Sequence, residues 1–232
     1  MKILLIAGHG NGDVGAVGNG YKESDLTREV VNLLKPTLSK YATADVADTS
    51  VNWYASRSRL NVKGYDYVLE IHFNAIKAET VSDGATKGVE IYVTETEKGV
   101  TVEENIVKNI SALGLKNRGV KRKNYSVIAT AKNQGVSAAL LEVCFIDDID
   151  DMRIYTTKKT DIINAITKGI ADGFGLTKSE PKTEPKPSAS AWAAASFEKA
   201  TAKGILDGSN PQGNVTREML AVILDRLGVL DK

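Results

Sequence analysis

Short apolar runs alternate with longer segments of helical periodicity through most of this 232-residue chain. Strands are expected in five apolar or β-rich runs, at residues 3–7, 44–47, 67–73, 89–94 and 136–146. Helices are expected where apolar residues recur at helical spacing, at residues 25–38, 54–62, 102–113 and 162–174. Because strands that alternate with helices share one sheet, the pattern predicts an α/β fold with a mostly parallel central sheet flanked by helices.

The composition changes near residue 177. Residues 177–190 read TKSEPKTEPKPSAS, which holds three of the five prolines and has no apolar periodicity, as is typical of a semi-extended linker. The sequence therefore predicts a main domain over residues 1–176, a Pro/Lys/Glu linker over residues 177–190 and a small module over residues 191–232.

The C-terminal module is predicted to be an all-α helical hairpin. Residues 192–204 and 217–227 have helical periodicity, and the loop between them is rich in Gly, Asn, Asp and Pro. A segment of this length is marginal for independent stability. We therefore expect it to associate with the main domain or with a second copy of itself, which would make the protein a homodimer.

Net charge and the N-terminal run argue against several classes of protein. The formal net charge is +1 and there is no long Lys/Arg run, so no nucleic-acid partner is expected. The apolar run at residues 3–7 is too short for a signal peptide or a membrane span. We expect synthesis in the cytoplasm without a signal peptide, no membrane insertion, and release by another agent if the target lies outside.

The single cysteine, Cys144, excludes an internal disulfide. It lies in an apolar run, where a small buried core residue is the simpler interpretation. A nucleophilic thiol with a nearby base is the alternative.

Both histidines of the chain follow apolar, strand-like runs. His9 ends the run ILLIAGH and His72 ends the run VLEIH. Since the carboxyl ends of parallel strands share one edge of a sheet, the two imidazoles can meet across a cleft. Imidazole is a common zinc ligand, and a catalytic zinc ion has three protein ligands and one open position. Glu23, at the start of the helix after a glycine-rich loop, could supply the third.

Each of these residues also has an ordinary structural interpretation. A histidine at a strand end can be a simple hydrogen-bonding residue, and Glu23 can be an exposed acid favoured by the helix dipole. The glycine-rich loop has neither the dinucleotide-binding spacing nor a P-loop lysine, so a phosphate site is not expected.

A carboxylate in an apolar run is a candidate catalytic group. Glu142 lies within AALLEVCFI, and a buried carboxylate without a partner is costly. It is expected to face a cation or the cleft, where it could serve as a general base, or else to form a salt bridge. Glu70 shares a strand face with His72, and the pattern does not decide whether it supports that residue.

These segments together resemble a known family, the zinc-dependent N-acetylmuramoyl-L-alanine amidases of the type 3 group, found in autolysins and phage endolysins. The matching segments are AGHG at residues 7–10, Glu23, IHFNA at 71–75, RGVK at 118–121 and LEVCFI at 141–146. They span nearly all of residues 1–176 in the family's order and spacing.

The resemblance implies a function and a set of roles. It implies that His9, Glu23 and His72 bind one catalytic zinc ion, that Glu142 is the catalytic acid/base, and that Asn74 lies near the substrate. It also implies peptidoglycan as substrate, cleaved between N-acetylmuramic acid and L-alanine of the stem peptide. With no signal peptide expected, an endolysin that acts on the cell wall after release is favoured, and a lysin of the mother cell after sporulation is the alternative.

The C-terminal module resembles a single surface-layer-homology module, most clearly in VTREM at residues 215–219. That resemblance implies binding to a secondary cell-wall polymer. A simple dimerisation hairpin is the alternative. For the whole chain, the alternatives are a zinc peptidase that cuts within the stem peptide and a catalytically silent wall-binding protein.

Overall fold

A computed structural model describes residues 1–79, 81–178, 189–206 and 208–231. The chain forms two compact units, Met1–Glu180 and Pro181–Lys232. Most of the linker predicted at residues 177–190 lies outside the described residues, so the three-part division of the chain stays a prediction. No helix among the described residues is long and apolar enough to cross a membrane.

The first unit is built on a six-stranded sheet in the order β4-β1-β5-β8-β6-β7, beside a small β2-β3 hairpin. The strands are β1 Lys2–Ala7, β2 Val17–Gly18, β3 Tyr21–Lys22, β4 Thr43–Val46, β5 Tyr67–Asn74, β6 Val89–Val93, β7 Asn117–Arg122 and β8 Ser137–Phe145. Neighbouring strands of the large sheet are parallel except β6 and β8, which are antiparallel. The predicted mostly parallel α/β fold is therefore confirmed.

Helices cover both faces of this sheet. They are α1 Glu23–Leu38, α2 Thr101–Ser111, α3 Ser126–Asn133, α4 Ile149–Thr157 and α5 Lys159–Phe174. The helix predicted at residues 54–62 is wrong, because only a short 3-10 turn, Arg57–Arg59, forms there and the rest is turn and coil. The sequence patterns also did not predict β7, α3 or α4.

The central strands β1, β5 and β8 are buried on both faces, which is why they appear as continuous apolar runs. Buried apolar residues that the structure describes form two cores, a larger and a smaller one. In β1, Ile3 and Leu5 belong to the larger core, and Leu4 and Ile6 belong to the smaller core. The larger core includes apolar residues of α1, α2 and α5, and the smaller core includes those of α3.

The smaller core ends where polar residues begin on the same face of the sheet. On β5, Val68 belongs to the smaller core, and Glu70 and His72 follow it at alternate positions. On β8, Leu140 belongs to the same core and Glu142 follows it. Because alternate strand residues share a face, this pattern opens a polar site at the carboxyl ends of the central strands.

The second unit contains two short helices, α6 Ala194–Ala202 and α7 Arg217–Arg226. The side chain of Thr216 caps α7 by accepting a hydrogen bond from the backbone N–H of Met219. None of its described residues, 189–206 and 208–231, is buried. Within the unit lies a cavity of ≈ 580 Å³ with apolar lining residues such as Phe197, Ile205 and Met219.

Candidate metal centre

His9 lies just past the end of β1, in a left-handed backbone conformation with φ of 63°. A non-glycine residue in this region is uncommon and makes the chain turn sharply. The following residue, Gly10, also has a positive φ, of 109°. The loop then runs through the β2-β3 hairpin to Glu23, the first residue of α1. The loop therefore places the end of β1 beside the start of α1.

Glu23 joins the two histidines. Its Oε2 lies 3.0 Å from Nε2 of His9 and its Oε1 lies 2.9 Å from Nδ1 of His72. The backbone N–H groups of Ala16 and Phe73 also donate to this buried carboxylate, at 2.9 and 3.0 Å. Ligand atoms of His9, Glu23 and His72 all lie within 4.8 Å of one another, which makes these three residues a candidate metal-binding group.

A carboxylate also faces the second nitrogen of each imidazole. Nδ1 of His9 lies 2.9 Å from Oδ2 of Asp13, and Nε2 of His72 lies 3.1 Å from Oε1 of Glu70. Three carboxylates therefore surround two imidazoles. This arrangement, in which each imidazole has one nitrogen toward the centre and the other on a carboxylate, is common around metal ions.

The pKa values reflect this excess of carboxylates. Burial lowers the pKa of His72, but hydrogen bonds to Glu23 and Glu70 outweigh it and raise the pKa well above its ordinary value. The pKa of His9 is also raised, because hydrogen bonding to Glu23 overcomes the effect of burial. Burial raises the pKa of Glu23, but hydrogen bonds to both histidines hold that pKa far below its usual range. The carboxylates that raise the pKa of the two histidines would also stabilise a bound metal cation.

Glu142 lies beside the histidines on the same face of the sheet, in direct register with His72. Its Oε2 atom is inaccessible to solvent and has no hydrogen-bond partner among the described residues. Burial raises the pKa of Glu142 to about 7; the His72 charge opposes this, and the charges of Glu23, Glu90 and Glu70 add to it. A carboxylate with a pKa near neutrality can both take up and release a proton.

Asn74 ends β5 at the rim of the same site, and its amide is already engaged. Its Nδ2 donates to Oε1 of Glu90 at 2.8 Å, and its Oδ1 accepts from the backbone N–H of Ala75 at 2.8 Å. Glu90 is buried and also pairs with Arg118 and Lys121. The Asn74 amide is therefore held in one orientation.

These side chains line one cavity of ≈ 490 Å³. His9, Glu23, His72 and Glu142 form its polar wall, and other lining residues include Glu70, Asn74, Tyr54, Tyr125, Val127 and Leu140. Tyr54 is 63% exposed. The cavity is large enough for a ligand of several sugar or amino-acid units, with apolar and aromatic surface beside the acidic wall.

Cys144 takes no part in the site. It is fully buried, its Sγ lies 4.0 Å from Sδ of Met152, and burial raises the pKa of its thiol well above the ordinary value. The expected core role of Cys144 is thus confirmed.

Sequence patterns predicted that the two histidines can meet at one edge of the sheet, that Glu23 could join them and that Glu142 faces a cation or the cleft, or else a salt-bridge partner. The structure brings all four together. The patterns gave no role to Asp13, whose only signal is its position in the glycine-rich loop. They also left open the role of Glu70, for which the alternation along β5 was a signal. Tyr54 and Tyr125 were not identified as site residues.

The sequence matches a protein-family model described as N-acetylmuramoyl-L-alanine amidase (Amidase_3) over residues 3–172. An endolysin of Bacillus phage SPP1 is 31% identical over 207 residues, which cover 80% of this chain and 72% of the relative. A sporulation-specific N-acetylmuramoyl-L-alanine amidase of Bacillus subtilis is 28% identical over 183 residues, which cover 75% of this chain and 67% of the relative.

Solved structures are similar in fold. The catalytic domain of the CD27L endolysin targeting Clostridia Difficile has a TM-score of 0.61 at 24% identity, covering 74% of this chain and 97% of that one. A putative N-acetylmuramoyl-L-alanine amidase from Neisseria meningitidis has a TM-score of 0.60 at 27% identity, covering 77% of this chain and 98% of that one. In both comparisons the fold similarity takes in nearly the whole of the solved chain.

Proposed function

The chain belongs to the N-acetylmuramoyl-L-alanine amidase family whose model matches residues 3–172, and we propose that it is a zinc-dependent member that hydrolyses peptidoglycan. The bond it would cleave joins the lactyl group of N-acetylmuramic acid to L-alanine of the stem peptide. The observation that carries the proposal is the convergence of His9, Glu23 and His72 beside Glu142 in one cavity.

The residues present fit a catalytic zinc ion. Two imidazoles and one carboxylate are the donor types that zinc prefers, and three protein ligands leave a position open. Glu142 supports this assignment, because its Oε2 atom is buried beside the donors without a partner among the described residues. We propose that His9, Glu23 and His72 hold the ion.

A zinc ion, when bound there, supplies the positive charge that acidifies a water molecule and polarises a carbonyl group. The chain's own residues would carry the remaining chemistry. The Glu142 carboxylate takes a proton from the attacking water and delivers it to the departing amine of L-alanine. The raised pKa of Glu142, about 7, suits a group that must do both near neutral pH.

Substrate binding would use the rest of the cavity. Asn74 is proposed to contact the substrate with the hydrogen-bonding capacity that Glu90 and Ala75 leave free. The apolar and aromatic lining, which includes Tyr54 and Tyr125, would bind the sugar ring and the peptide backbone.

We propose that the second unit binds a secondary cell-wall polymer. Its described residues are all exposed or half-buried, and its cavity is lined by apolar side chains such as Phe197 and Met219. Dimerisation through this unit would raise avidity for a repetitive wall. The similarity to an endolysin and to a sporulation-specific amidase, together with this cavity, favours an endolysin-like role at the cell wall.

Mass analysis of digested peptidoglycan tests the reaction. A zinc-loaded amidase releases peptides with a free L-alanine amine and leaves glycan strands with free lactyl carboxyl groups. A zinc peptidase would instead leave L-alanine attached to the glycan, and a silent wall-binding protein would release nothing. Either of these outcomes would contradict the proposed reaction, and the matched control is Glu142→Gln protein under the same conditions.

A further inference from the structure

Glu70 is a buried carboxylate that neither metal binding nor proton transfer uses. Its side chain is 5% exposed and lines the catalytic cavity on the same face of β5 as His72. A carboxylate buried at this depth is costly unless a charged or hydrogen-bonding group compensates it.

The only ion pair that Glu70 makes among the described residues is with His72. Its Oε1 lies 3.1 Å from Nε2 of that imidazole, and its Oε2 has no hydrogen-bond partner among the described residues. No described lysine or arginine pairs with it. Glu70 therefore does not serve to neutralise a lysine or arginine in the described part of the fold. Its charged partner is His72.

The contact with Glu70 decides which nitrogen of His72 can bind a metal ion. A carboxylate oxygen without a proton only accepts hydrogen bonds, so Glu70 holds the proton of His72 on Nε2. Nδ1 lies 2.9 Å from Glu23, which belongs to the same candidate metal-binding group, so Nδ1 is the nitrogen that a bound ion would use in place of its proton. Gly8 packs closely against the same ring, where even one added carbon would overlap the imidazole. Gly8 and Glu70 together therefore restrict where the imidazole can lie.

We propose that Glu70 is the positioning residue of the metal centre: it fixes the tautomer and ring orientation of His72 so that Nδ1 faces the ion. This inference rests on the proposed zinc site and assigns a role that the amidase activity alone does not require. Asp13 makes a similar contact with His9, but its side chain is 45% exposed. Since water screens an exposed charge far more than a buried one, Glu70 should contribute more to the centre than Asp13 does.

Zinc affinity of the full chain, measured by competition with a chromogenic chelator, tests the proposal. Glu70→Gln keeps the shape of the side chain and removes its charge, and we expect its affinity for zinc to fall roughly 10- to 100-fold. Asp13→Asn should lose less. Glu103→Gln is the matched control, because Glu103 is also buried but accepts a hydrogen bond from Tyr67, far from the site.

The visible spectrum of the cobalt-loaded protein gives a second readout. It should change in Glu70→Gln and stay unchanged in Glu103→Gln, because only the first alters ligand geometry. Zinc affinity and cobalt spectrum that are equal in Glu70→Gln and wild type would overturn the inference. A wild-type protein that binds no zinc would instead overturn the proposed function.

Nitrogen-15 NMR of the zinc-loaded wild-type protein tests the same point without a variant, so it remains decisive if Glu70→Gln fails to fold. We expect His72 to carry its proton on Nε2. A spectrum in which Nδ1 carries the proton would contradict the assigned role of Glu70.

Discussion

His72 and Glu142 lie directly opposite each other across the parallel strands β5 and β8. Paired strands are about 4.8 Å apart, so the backbone hydrogen bonds of the sheet set the spacing between a proposed metal ligand and the proposed acid/base. Neither side chain depends on a loop for its position. The spacing should therefore persist when the loops around the cavity move.

Glu142→Gln should separate catalysis from metal binding. The amide keeps the size of the side chain but cannot take up the proton of water, so we expect activity to fall roughly 10²- to 10⁴-fold. Zinc content should stay at the wild-type level, because Glu142 is not in the candidate ligand group. Metal analysis and peptide release from purified walls measure the two effects. A fully active variant would remove Glu142 from the mechanism.

Gly8→Ala should damage the site through packing alone. A Cβ atom at residue 8 would overlap the His72 ring, so the imidazole must shift. We expect a loss of about 1–3 kcal/mol in the free energy of unfolding and weaker zinc binding. Gly99→Ala is the matched control, because nothing lies near its added Cβ and its φ is not positive. Denaturant unfolding and chelator competition compare the two variants; equal behaviour would argue against close packing at Gly8.

The stability of the metal-free protein should depend on pH through the histidine cluster. The pKa values of His9 and His72 are raised, so their pairing stabilises the fold below about pH 6.5 and this contribution is lost as the pH rises through the raised values. The lowered pKa of Glu23 means that its contribution is present above about pH 4.3 and is lost as the pH falls. The cluster should therefore stabilise the metal-free protein most between these two values.

Zinc should offset the stability that the metal-free protein loses as the pH rises, because zinc binds the deprotonated imidazoles. We expect the increase in melting temperature on adding zinc to be larger at pH 8 than at pH 6. Thermal unfolding with and without zinc across this range measures it. His72→Asn should abolish most of the difference, and an increase that does not vary with pH would contradict the proposed ligands.

Removal of the second unit should affect wall binding more than chemistry. Residues 1–178 contain the whole cavity and both apolar cores. We expect this fragment to hydrolyse soluble muropeptides at close to the wild-type rate and to lyse whole walls more slowly. Turbidity loss of cell walls and peptide release from muropeptides give the two rates. Equal lysis by fragment and full chain would argue against a wall-binding second unit.

Sequence patterns predicted the centre of the fold better than its edges. Strands β1, β5 and β8 are buried on both faces and appear as unbroken apolar runs. Strand β7 lies at the edge of the sheet, and its sequence NRGVKR has only one large apolar residue. Residues 54–62 suggested a helix, but Tyr54 is exposed and the chain there follows turns that place Leu60 and Val62 in the smaller core.

The candidate site was predictable where it depends on strand ends and not where it depends on a loop. His9 and His72 follow apolar strands of a parallel sheet, so their approach follows from topology. Asp13 reaches His9 through a loop with several positive φ angles, and no periodicity encodes that path. The alternation along β5 aligned Glu70 with His72, but only the distance between their side chains identifies the contact.

The antiparallel ladder between β6 and β8 has a consequence for the fidelity of folding. Glu142 faces Glu90 across that ladder, while its neighbours Leu141 and Val143 point into the larger core. A slip of one residue would bury a charge and turn an aliphatic side chain toward the substrate. The same strand register therefore buries the core and forms the catalytic site. A chain with misaligned strands would be both unstable and inactive.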